Sequence, residues 1–326
     1  MGKIIKKNNY IKFKLLNLFY IFTISIITFK IFIQYHNINF DDVIFRFQYL
    51  LDGKPDWKTY QNRVLGPILI YFIDSFVNNY KKSYILFCFI FIFLNNFLFS
   101  LIIEKIFLDL KNKKFFYLLV YNFLFLFYQH HFIYPWDFIE ISLVTILIFV
   151  ILKNSRLIYY ELIILFSIGL LNKESALIIP VVFSIIFLLE KKIFKSLIST
   201  ILIFLGYQFI KFIRNKIFVS RINGDISYEF HPIELFNNLH DLIIKNINSP
   251  RIIFTFLSIG FLIYLVSNIT IIKTKKSLKY LSFYFLIHFF ILFTFGIFME
   301  TRTQLVLLPI CITIYIQIKK IILNKI

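Results

Sequence analysis

Long apolar runs follow one another along nearly the whole chain, separated by short polar clusters. The runs cover 15 to 35, 83 to 103, 115 to 129, 138 to 152, 157 to 171, 176 to 190, 196 to 213, 252 to 272, 280 to 298 and 303 to 318. Such runs predict transmembrane helices, because a segment in hydrocarbon must satisfy its own backbone hydrogen bonds. The pattern therefore predicts an all-α polytopic bundle of about ten spans, forming one integral membrane domain over residues 1 to 326. A further apolar stretch, 64 to 77, holds Gly66, Pro67 and Asp74 and falls short of the roughly 17 residues a span needs.

That short stretch decides which side each connection faces. If it does not cross, the basic N-terminus shares a side with Lys105/Lys111/Lys113/Lys114, Lys153/Arg156, Lys191/Lys192/Lys195, Lys273/Lys275/Lys276/Lys279 and Lys319/Lys320/Lys325. Cytoplasmic loops carry an excess of lysine and arginine, so this arrangement is the expected one, with both termini cytoplasmic in a bacterial inner membrane. Residues 64 to 79 are then an interfacial or re-entrant helix on the outer face. The outer segments become 36 to 82, 130 to 137, 172 to 175, 214 to 251 and 299 to 302.

Composition agrees with a membrane protein and removes other classes. Hydrophobic residues make up 59% of the 326 residues and mean hydropathy is +0.79, too apolar for a soluble surface. The net charge of +19 sits in short clusters between apolar runs, where it meets anionic lipid head groups rather than nucleic acid. Cys88 and Cys311 are far apart inside apolar runs, which excludes a zinc or disulfide framework. No phosphate-binding loop, HExxH or G-x-S-x-G motif is present.

The candidate chemistry lies in the outer polar clusters. Asp41-Asp42 offers a general base or an oxygen site for a divalent cation, and equally the acidic first turn of an amphipathic helix over 43 to 51. No cation is required by the sequence. Arg63, in the stretch from Trp57 to Pro67, is a planar fork for a phosphate, while Trp57 and Tyr60 suit interfacial anchoring. His130, His131 and Asp137 flank Pro135-Trp136; adjacent histidines are poor chelators of one ion, and Asp137 either caps a helix or contacts a hydroxyl-bearing substrate.

Asn172-Lys173-Glu174-Ser175 puts an acid and a base in a tight turn between two apolar runs, where ionisable groups usually mark function. Glu300-Thr301-Arg302 repeats that pattern before the last run. The loop 214 to 251 reads as a turn and an amphipathic helix that would suit a lid.

With Asp41-Asp42 after the first run, interfacial material around Tyr60 to Pro67, Asp137 after the third run and Asn172 to Ser175 leading into Pro180, the chain resembles the GT-C class of polytopic glycosyltransferases. The resemblance covers most of residues 1 to 190 and is one of architecture. It implies transfer of a sugar from a polyprenyl-phosphate donor to a lipid-linked glycan or other acceptor on the outer face. Asp41 or Asp42 would act as base or metal contact, with Asp137 as a further catalytic carboxylate. Arg63, Lys173 and Arg302 would neutralise the phosphate, and Glu174 and Glu300 would orient substrate. A polysaccharide polymerase or ligase and a lipid-linked glycan transporter are the rival readings.

Overall fold

A computed structural model describes residues 2–53, 63–107, 111–128, 133–153, 158–213, 251–295 and 304–324. Among them every regular element is helical. The first helix, α1, covers Gly2–His36 and passes through a single helical turn at Asn37–Asn39 into the amphipathic α2, Phe40–Leu51. The short α3, Leu65–Val77, precedes α4, Tyr80–Ile106, α5, Lys111–Phe127, and α6, Pro135–Lys153. Then come α7, Ile158–Asn172, a 3-10 turn at Glu174–Leu177, α8, Ile178–Leu189, and α9, Ile193–Phe212. After residue 250 lie α10, Arg251–Ser267, α11, Ile269–Thr274, α12, Lys276–Phe295, and α13, Leu308–Leu323.

Among the described residues six helical segments are long and apolar enough to cross a membrane: Leu15–Leu51, which joins α1 to α2, Tyr80–Ile106, Pro135–Lys153, Ile193–Phe212, Lys276–Thr294 and Leu305–Leu323. Leu65–Val77, Lys114–Phe127, Ile158–Asn172, Glu174–Leu189 and Leu257–Ser267 are apolar but shorter. Two of these shorter helices, Ile158–Asn172 and Glu174–Leu189, end at turns. Lys173, with φ −164° and ψ 147°, leaves helical geometry and ends α7, and Lys191 takes a positive φ of 59° to end α8.

Side-chain contacts fix the relative directions of α1, α4 and α6. Phe29 meets Phe89 and Phe22 meets Phe93, so α1 and α4 are antiparallel. Tyr84 donates to the Ile133 carbonyl at 2.8 Å, Phe87 packs on Phe138 and Ser142 donates to Asn95, so α4 and α6 are parallel. Antiparallel α1 and α4 mean that the intervening α3 does not reverse the chain. Its start packs on the start of α6: a Cβ at Gly66 would lie 2.6 Å from Pro135 Cβ, so only glycine permits this approach.

The bundle therefore has two chemically different ends. One gathers the end of α1, α2, α3, and the starts of α4 and α6 with the turn between α7 and α8. The other gathers Lys105, Lys114, Lys153, Lys192 and Lys320, the last of which donates to the Ile106 carbonyl.

Between the ends, α1, α4 and α5 are stitched by polar side chains. Thr28 donates to Asn122 Oδ1 at 2.8 Å, Asn122 to Asn96 Oδ1 at 2.8 Å, and Asn96 to Ser25 Oγ at 2.9 Å. All four residues are buried. In a bilayer, where helices gain little from hydrophobic burial against each other, such bonds contribute about 0.6 kcal/mol each on average.

Candidate functional site

At the end that holds α2 and α3 the chain brings charged groups from three separate segments into contact. The site begins with α6, whose first turn carries Pro135, Trp136 and Asp137. Asp137 Oδ2 accepts the Tyr134 backbone N–H at 3.1 Å and so ties the incoming loop to the helix. Trp136 stacks on Tyr134 with centroids 4.6 Å apart, and its carbonyl accepts Asn172 Nδ2 at 2.8 Å. One turn on, Glu140 shares the Asp137 face, since side chains three apart on a helix are neighbours.

The break at Lys173 aims its ammonium into that face. Nζ donates to Glu140 Oε2 at 2.7 Å and to Asp137 Oδ1 at 3.3 Å, and Ser175 Oγ donates to the other Glu140 oxygen. The Lys173, Asp137 and Glu140 side chains are only 14%, 4% and 9% exposed. Burial pulls the Lys173 pKa down, but Glu140 and then Asp137 outweigh it, and the value ends above the ordinary 10.5 although Arg63 opposes the rise. Lys173 is therefore held as a cation.

Arg63 enters from the other side, placed by the Gly66 contact three residues later. Its Nε donates to Glu174 Oε2 at 3.3 Å and Nη2 donates to Glu174 Oε1, a two-pronged pair. Its guanidinium also lies 5.4 Å from the Trp136 ring centre, an attractive cation–π arrangement. Two cations and three carboxylates thus form one connected cluster across the segment that leads into α3, α6 and the turn between α7 and α8. Next to it is a hollow of about 20 Å³ lined in part by Glu140, Asn172, Ser175 and Tyr284. That is room for one water or hydroxyl group. The buried Asn172 Oδ1 has no hydrogen-bond partner among the described residues.

Asp137, Arg63, Lys173 and Glu174 are therefore brought together. Lys173 and Glu174, adjacent in sequence, do not neutralise each other: each pairs across the fold. Asp41 and Asp42 have separate partners, Lys81 Nζ at 2.9 Å from Asp41 Oδ1 and Arg46 Nε at 3.4 Å from Asp42 Oδ2. The Asp41 and Lys81 side chains are 77% and 43% exposed, so this is a surface pair. Glu300 and Arg302, the histidines His130 and His131, Trp57, Tyr60 and positions 214 to 250 of the loop read as a lid lie outside the described residues. Glu140 is the member that inspection of polar clusters misses, because it stands alone inside an apolar run. Its signal is the spacing Asp137-x-x-Glu140, which sets two carboxylates on one helix face. No group of three or more His, Cys, Asp or Glu among the described residues is placed to hold a metal ion.

No protein-family model, curated protein or solved structure matches the chain. The cluster must therefore be read from its own chemistry.

Proposed function

We propose that the protein is a membrane glycosyltransferase that takes a sugar from a polyprenyl-phosphate donor and passes it to a lipid-linked glycan or other acceptor at the cluster end of the bundle. In this reading that end faces away from the cytoplasm and the lysine end faces it, as the positive-inside bias requires. The observation that carries it is the Arg63–Glu174 pair. Two guanidinium nitrogens grip the two oxygens of one carboxylate, and the same fork grips two oxygens of a phosphate. An incoming head group would displace Glu174, with the Lys173 ammonium beside it adding a second positive charge.

The reaction breaks the bond between the anomeric carbon and the phosphate oxygen. The acceptor hydroxyl oxygen forms the new bond to that carbon, its proton goes to a carboxylate, and the phosphate leaves with the electron pair. Arg63 and Lys173 offset the charge that develops on the leaving phosphate, which is the larger part of catalysis where sites are preorganised. Asp41 or Asp42, exposed at the same end, would receive the proton, and attack opposite the leaving group inverts the anomeric configuration.

Among the described residues the ion pairs of the cluster converge at one end rather than lining the span centres, which favours a reaction site over a transport path. The test is transfer of radiolabelled sugar from polyprenyl phosphate in isolated membranes. Arg63→Lys keeps the charge and removes the fork, so transfer should fall by roughly 10- to 100-fold, about 1.4–2.7 kcal/mol. Undiminished transfer by Arg63→Lys would overturn the phosphate role, and undiminished transfer by both Asp41→Asn and Asp42→Asn would remove the assigned base.

A further inference from the structure

A second feature lies on another face of α12. Tyr284 lines the hollow beside Glu140, whereas its neighbour Phe285 lines a much larger cleft of about 550 Å³ between α5, α10 and α13. That volume is within the range of ligand pockets, about 300–1,000 Å³. Val120 and Leu124 of α5, Phe261 of α10, and Leu308 and Ile312 of α13 form its walls. None of the described lining residues is charged.

The cleft has a direction. Tyr128, Ser258 and Gln304 form a polar mouth, with Ser258 Oγ donating to Gln304 Oε1 at 3.0 Å. Because α5 is antiparallel to α4, and α13 meets the end of α4 through Lys320 and Ile106, this mouth opens at the charged-cluster end. Tyr117, Tyr264 and Tyr315 close the far end. Leu257 and Phe116, 46% and 61% exposed, show that its flank meets the surroundings of the bundle.

We infer that this cleft seats one acyl chain of a bilayer phospholipid whose head group lies at the Tyr128–Ser258–Gln304 mouth. Length supports this occupant. From Phe116 to Tyr128 the wall extends roughly 18 Å, at about 1.5 Å per helical residue. One leaflet of hydrocarbon is about 15 Å deep, half of the ~30 Å core. An acyl chain fills such a cleft from mouth to floor, while a polyprenyl chain many times longer would leave most of its length outside. The inference is independent of sugar transfer and holds for any activity of the charged cluster.

Gly260 provides the test, since a Cβ there would meet nothing within 4 Å and a larger side chain can grow into the cleft. Full-length wild-type protein and Gly260→Phe, extracted in mild detergent, would each be mixed with phosphatidylglycerol or with polyprenyl phosphate and weighed by native mass spectrometry. The wild type should retain one phosphatidylglycerol, and Gly260→Phe should bind it about tenfold more weakly. Equal phospholipid binding by both proteins overturns the inference. So does preference for polyprenyl phosphate at this cleft, or a dimer peak that Gly260→Phe abolishes.

A second measurement uses the unmodified chain and needs no variant to fold. Cys311 lines the cleft and is half-buried, whereas Cys88 is fully buried and serves as an internal reference. Phosphatidylglycerol should slow alkylation of Cys311 relative to protein in detergent alone, and an unchanged rate overturns the inference.

Discussion

The two ends of the bundle use charge to different effect. At the lysine end Lys153–Glu161 is a surface contact, with side chains 48% and 25% exposed. At the other end, Lys173, Asp137 and Glu140 are each less than 15% exposed and depend on one another. A solvated pair that is broken returns to water, whereas a buried ammonium that is removed leaves two carboxylates facing each other in a poor solvent. The difference is between charge spread over a surface and charge concentrated and buried at one place.

Cutting one lysine at each end should expose that difference most strongly. Lys173→Ala should destabilise the protein by about 3–5 kcal/mol, and Lys153→Ala by no more than about 1 kcal/mol, read from denaturant or thermal unfolding in detergent. Comparable losses would erase the distinction between the ends.

Glycine substitutions sharpen the contrast next. Gly66→Ala forces a Cβ against Pro135 and should cost about 1–3 kcal/mol through backbone displacement. Since Arg63 is carried by the same segment, its pairing with Glu174 should weaken too. Gly260→Ala meets nothing and should stabilise its helix by roughly 0.5–1 kcal/mol.

Alkaline titration gives a smaller effect. Lys173 holds its proton more tightly in the folded chain than in the unfolded one, so its contribution is complete below pH 10.5 and is lost as pH rises through the higher folded value. Over that window stability should fall by at most about 1.4 kcal/mol per pH unit. The part of the fall that disappears in Lys173→Arg is the part due to this residue. If both proteins titrate alike, the ammonium is not held by the carboxylates.

The mildest test is Asn122→Leu in the bundle middle. It breaks the bonds to Thr28 and Asn96 and should cost about 1 kcal/mol, since bonds of this kind average about 0.6 kcal/mol each in a membrane. A cost as large as that of Lys173→Ala would show that stability is not concentrated at the cluster.

Composition and run length were enough to read an all-helical membrane protein from the chain, because hydrocarbon leaves a sequence few alternatives. That Lys173 and Glu174 sit in a turn between two apolar segments was also legible, since charge in such a place is costly. Partner choice was not. Lys173 pairs with Glu140, 33 residues earlier, and Arg63 with Glu174, 111 residues later. Such pairings depend on how helices are rotated and staggered, and Gly66 against Pro135 sets part of that stagger without any charge to announce it. Glu140 stayed hidden because one acid in an apolar run looks like an isolated interruption until α6 is wound and Asp137 comes round to the same side.

The chain of hydrogen bonds from Thr28 to Ser25 also bears on how the molecule is assembled during synthesis. When α1 and α4 have entered the lipid but α5 has not, Thr28 lacks its acceptor on α5 and Asn96 Oδ1 lacks its donor there. Arrival of α5 supplies both through the single amide of Asn122. The third helix of this group thus acts as a latch for the first two, and nascent chains stopped before Asn122 should leave α1 free to exchange with neighbouring helices until it arrives.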